Sequence, residues 1–151
     1  MRGLDIEATI ADVSRRPGVA ELLRRLALGH EAMRQEIDQH VVAEFPAVAE
    51  RADEAVRRQL IDATFRRVFD RLGGAPCPDD GAVHRSFGAA AAAAGVALHE
   101  LTAAYRIGSR VAWEHLRRVA VELDLDADTA MMLAQAQFAC VDELTADSVA
   151  G

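Results

Sequence analysis

Apolar residues recur at steps of three and four in each stretch between the proline and glycine clusters of this chain, and that spacing admits little besides α-helix. Leu22, Leu26, His30, Met33, Ile37 and Val41 follow it. So do Val56, Leu60, Thr64, Val68 and Leu72, with Ile61, Phe65 and Phe69 widening that stripe. Such steps bring side chains onto one face of a helix. Alternating β-branched runs, the mark of a half-buried strand, are absent from the sequence. Breaks fall at Pro17-Gly18, Pro46, Gly73-Gly74, Pro76-Cys77-Pro78 and Gly95. They predict helices over about 6–15, 19–44, 53–72, 82–94, 98–123 and 127–149. The expectation is an all-α, single-domain bundle of about five to six helices over residues 1–151, with globin-like and up-down arrangements both open.

Local chemistry supports these boundaries. The residue before Pro46 is pushed out of the helical region, so the second helix should stop there. Asp53 reads as an N-cap, as does Asp79 or Asp80 for the fourth helix. Gly73-Gly74 reads as a stop and Gly95 as a C′ residue. The Ala89–Ala94 run has the highest helix propensity and almost no bulk, which suits close approach of another helix. Gly108 is its natural counterpart. The last helix carries Ala130, Ala134, Phe138, Val141 and Thr145 on a stripe, widened by Leu133, Gln137 and Leu144.

A chain of 151 residues can bury a core without disulfides or metal. With 51% apolar and only 5% aromatic residues, that core must be aliphatic. The net charge of -7 repels phosphate backbones and disfavours docking on anionic membranes. No run approaches the roughly 18 apolar residues of a membrane span. The acidic N-terminus does not resemble a signal peptide, so a cytoplasmic location is expected. Cys77 and Cys140 lack paired spacing and read as reduced thiols, with no metal or cofactor implied. All 17 basic residues are arginine, which with the alanine content suggests a GC-rich bacterial genome.

No catalytic constellation can be assembled. The histidines, at 30, 40, 84, 99 and 115, lack the four-residue pairing of a zinc protease helix. His30 stands on an apolar stripe, where a core role outweighs a haem-ligating one, and the other four read as surface positions. Neighbouring carboxylates such as Asp53-Glu54 diverge around a helix and cannot converge on a substrate. No nucleophile elbow or phosphate-binding loop is present in the sequence.

The stretch LHELTAAYRIGSRVAWEHL from Leu98 stands apart. It holds the single Tyr and the single Trp, at Tyr105 and Trp113. Leu101, Tyr105, Gly108, Ala112 and Leu116 form one stripe. Arg106, Arg110 and Glu114 are spaced four apart, as an ion-pair ladder would be. Asp142 and Glu143, on the next helix, are the expected partners of the two arginines. A clamp that fixes helix register is the simpler reading, and an anion pocket walled by Tyr105 and Trp113 is its rival.

This stretch, with FACVDELTADSV near the end, AEFPA and RRQLIDATFRRV, resembles the N-terminal helical domain of PucR-type bacterial transcription regulators. That region is similar to the N-terminal domain of the RsbRD co-antagonists of stress signalling. The similarity runs from about residue 20 onward and rests most on Gly95, Leu98, Leu101, Ala104 to Gly108, Arg110, Trp113-Glu114 and Asp142 to Leu144. The resemblance implies a non-catalytic sensory or dimerising module. It implies a homodimer, an unidentified small-molecule effector, and DNA contact only through a C-terminal domain not in this sequence. His99 stands where the family often has an acidic residue. A ligand-free interaction bundle of stressosome type and a haem or gas sensor are the alternatives.

Overall fold

The computed structural model describes residues 6–74 and 82–150, and every element in them is helical. Eight helices follow in order: α1 (Ile6–Val13), α2 (Val19–Leu28), α3 (His30–Glu44), α4 (Pro46–Arg51), α5 (Glu54–Leu72), α6 (Ala82–Ala93), α7 (Leu98–Glu122) and α8 (Ala127–Ala150). The expected five to six become eight for two local reasons. Gly29 interrupts the second predicted helix and makes it α2 and α3. Pro46 ends α3 but also opens a new helix, α4, because its fixed φ suits the first helical position.

The helix ends follow backbone chemistry. Asp53 has extended φ and ψ, and its carboxylate accepts the Val56 N–H at 2.9 Å, capping α5. Asp126 does the same for α8, accepting Thr129 N–H at 2.7 Å. After α6, Gly95 takes φ +88°, and Val96 N–H reaches back to Ala91 O at 2.9 Å. The same motif follows α7, where Leu125 N–H reaches Ala120 O at 3.0 Å. There the left-handed position is held by Asp124 at φ 55°, without the freedom of glycine. The Asp79 or Asp80 cap predicted for α6 lies outside the described residues, as does Cys77.

Helices α7 and α8 form the centre of the molecule. α7 packs against α2 and α3 on one side and α8 on the other, while α8 also meets α1, α5 and α6. Leu22, Met33, Leu72, Leu116, Leu133 and Leu144 are fully buried between them. This aliphatic core matches the expectation from composition. Two stripes are rotated from their predicted positions. On α8, Leu133, Gln137 and Leu144 face inward with Thr129 and Cys140, while Phe138 lies at the edge, 41% exposed. On α6, only Ala91 of the alanine run is buried. The close approach is made instead by Gly88, where a Cβ would overlap the Ser148 carbonyl of α8. The predicted pairing of the alanine run with Gly108 is therefore replaced by a Gly88–Ser148 contact.

Ion pairs tie helices distant in sequence. Arg71 of α5 bridges Glu143 of α8 and Glu7 of α1, at 2.5 Å each. Arg67 meets Asp147 at 3.4 Å, and Arg25 meets Glu122 at 3.6 Å.

Candidate functional site

The predicted arginine–carboxylate cluster does not assemble. Arg106, Arg110, Glu114 and Asp142 are all exposed, and no ion pair joins them among the described residues. Glu143 is taken by Arg71, because α8 presents that side to α5 and not to α7. The aromatic pair also separates. Tyr105 is buried, and its hydroxyl shares a 2.6 Å hydrogen bond with Ser148 Oγ. Burial pushes the phenol up to about 12, against the opposing effect of that hydrogen bond. Trp113 lies farther around α7, half-buried, with its ring centroid 6.2 Å from that of Phe138. Tyr105 and Trp113 therefore face different surroundings.

The face of α7 that carries Tyr105, away from Arg106 and Arg110, borders a partly open cavity of about 280 Å³ walled mainly by α3, α5, α6 and α7. Ile37, Val41, Leu60, Phe65, Leu101 and Val141 give it apolar walls. Its origin lies in small residues. Ala104, Gly108 and Ala112 line it from α7, and Ala90 and Ala91 from α6. A Cβ on Gly108 would meet only Ile37 Cγ2, at 3.8 Å, so glycine there leaves space unfilled. The first half of α5 lies over this space, which explains why Leu60, Ile61 and Phe65 are only half-buried.

The cations at the rim are already engaged. Arg57 donates to Asp38 Oδ1 at 2.7 Å and to the Ala52 carbonyl at 2.7 Å, joining α3 to the turn before α5. The Asp38 carboxylate holds its guanidinium above the usual range. Arg51 donates to the Ala94 carbonyl at 3.0 Å, spanning from α4 to the end of α6. Arg34 pairs with Asp62 at 3.6 Å and Glu31 at 3.4 Å.

Polar groups in the lining are few. Gln137 is 0% exposed and donates from Nε2 to the Ser109 carbonyl at 2.8 Å. That carbonyl can only accept, so the amide orientation is settled and Oε1 points elsewhere. Oε1 is buried with no hydrogen-bond partner among the described residues. His30 lies 2.7 Å from Asp62 Oδ1 through Nε2, with its ring 4.1 Å from that of Phe65. Nδ1 of the same ring is buried with no hydrogen-bond partner among the described residues. An unsatisfied buried acceptor costs about 1–3 kcal/mol. Thr64 and His84 add a 2.8 Å hydrogen bond between α5 and α6.

Two of the histidines depart from their predicted surface settings. His84 is fully buried, and His115 is half-buried with Nε2 2.8 Å from Glu36 Oε2. His30, weighed as a haem ligand, has its Nε2 occupied by Asp62. Cys140 is a buried thiol pushed up to about 11 by desolvation, a poor nucleophile. Among the described residues no group of three or more metal-ligating side chains comes together. No helix of the described residues is long and apolar enough to cross a membrane. Sequence reasoning passed over Gln137 and Ser109 as site residues. The available signal was a glutamine on an otherwise apolar stripe of α8.

No curated protein and no solved structure shows significant similarity to the chain. The profile of the PucR-like N-terminal domain, in contrast, matches residues 17–151, which takes in every helix after α1. That match covers most of the all-helical bundle, and the chain belongs to the family of PucR-like N-terminal domains.

Proposed function

We propose that this domain is the signal-input part of a transcription regulator, that the cavity between α3, α5, α6 and α7 receives a small effector, and that the domain acts as a homodimer. The observation that carries this reading is the apolar cavity of about 280 Å³ in a chain otherwise lacking chemistry. The pocket is apolar over most of its wall and partly open at its rim, the usual form of a small-molecule site. DNA contact belongs to another domain of the regulator, in keeping with the net charge of -7 here. An effector seated against α3, α5 and α7 at once would alter how these helices meet, and so the surface offered to a second copy.

A ligand screen by thermal shift tests the input function. A saturating compound, at 100 times its Kd, raises stability by about 2.7 kcal/mol, which is several degrees for a domain of this size. Gly108→Leu, which fills the cavity, abolishes the shift. A full-length regulator carrying Gly108→Leu that responds like the wild type removes the input reading. Sedimentation velocity tests the dimer, and a strict monomer at high concentration removes that part.

A further inference from the structure

The lining of the cavity narrows the effector that the input reading leaves unnamed. We infer that its ligand is a neutral, largely apolar molecule of about bicyclic size that brings a hydrogen-bond donor to Gln137 Oε1. This rests on the proposal that the cavity is an effector site.

Size comes first. An apolar protein cavity of about 150 Å³ accommodates one benzene. The 280 Å³ here has room for two fused rings or a branched chain of similar bulk. Charge comes next. Arg34, Arg51 and Arg57 line the space, yet each is engaged by Asp62 and Glu31, by the Ala94 carbonyl, or by Asp38 and the Ala52 carbonyl. The carboxylates paired with Arg34 and Arg57 offset the attraction those two would have for an anion, and a neutral ligand leaves all of these contacts in place.

Polarity is set by the two unpartnered atoms. Gln137 and His30 are both among the lining residues, and among the described residues Gln137 Oε1 and His30 Nδ1 have no hydrogen-bond partner. The Ser109 carbonyl fixes the first as an acceptor, whereas Asp62 takes only Nε2 of the His30 ring. The complement to the Gln137 acceptor is a donor. Gln137 is the stronger determinant, because its amide is fully buried and held in one orientation by its bond to α7. A ligand N–H or O–H reaching Oε1 would tie α8 to the ligand while Nε2 keeps its bond to Ser109.

The test compares two probes of one shape by calorimetry on the whole chain: indole, with an N–H, and benzothiophene, with none. Indole is expected to bind about tenfold more tightly, the value of one net hydrogen bond in a buried setting. In Gln137→Met the preference collapses to near unity while benzothiophene binding persists. Circular dichroism and the melting curve confirm that the variant is folded, and Gln137→Leu serves if it is not. Gly108→Leu loses both probes. Equal binding of the two probes to the wild type overturns the inference, as does a preference that survives in Gln137→Met or the absence of binding by either. If an anionic compound such as indole-3-carboxylate binds while indole does not, the inferred ligand class falls and the input reading stands. A regulator unaffected by Gly108→Leu takes down the input reading itself.

Discussion

Two glycines separate what a missing side chain can mean. Gly88 is needed for contact, since a Cβ there would overlap the Ser148 carbonyl of α8. Gly108 is needed for space, with 3.8 Å to its nearest neighbour. Alanine should therefore act in opposite directions. Gly108→Ala should stabilise by about 0.5–1 kcal/mol, since glycine in a helix interior is the costlier residue. Gly88→Ala should destabilise by about 1–3 kcal/mol, the range for overpacking against a backbone that cannot yield. Paired urea melts check both signs. Tyr105 permits a second measurement because it is the single tyrosine. Its folded pKa is raised to about 12, against about 10 in the unfolded chain. Between those values the folded state retains a proton that the unfolded state has lost, so stability falls as pH rises through that window. An absorbance titration should show no tyrosinate at pH 10 in the folded protein. An ordinary titration there would contradict the buried Tyr105–Ser148 contact.

Helix boundaries were legible because they depend on a few adjacent residues. Asp53, Gly73-Gly74 and Gly95 act within one turn of themselves, and the structure has them in those roles. The break at Gly29 was less legible, since one glycine without proline can also continue a helix. The short α4 was hidden because proline both stops a helix and starts one. Caps give predictions at this scale. Asp53→Ala should cost roughly 1 kcal/mol through the lost bond to Val56 N–H. Asp124→Gly should raise the melting temperature, because φ 55° is strained for aspartate and free for glycine. Scanning calorimetry reads both changes. The orientation of each face was harder to read than its helix. The α8 stripe was displaced by about one residue around the axis, so Phe138 was placed inside although it sits at the edge. On an alanine-rich helix several faces are apolar enough to serve, and the hydrophobic period alone does not choose among them.

The molecule as a whole is uneven in how firmly it is held. α7 is covered by α2, α3 and α8, whereas α4 buries only Val48 and is tied down mainly by Arg51 and Arg57. Hydrogen exchange should follow this difference, slowest in the middle of α7 and fastest in α4 and the turn to α5. Ligand binding should slow exchange around α4 and the start of α5, where the rim of the cavity lies. Slow exchange in α4 without ligand would contradict this gradient. The all-helical class, most helix boundaries and the aliphatic core are legible in the amino-acid order, because each follows from local spacing, capping chemistry or composition, and the family is legible in its motifs. These motifs also mark α7 as the informative helix. Which side of α7 matters depends on how the helices pack. The placement of α5 gives Glu143 to Arg71, and Arg106 and Arg110 are left in solvent. The cavity could not be read from any one helix, because it is the space that small residues on α6 and α7 leave between neighbours. An unfilled volume belongs to the packing of several elements at once, and no residue pattern along a single chain segment encodes it.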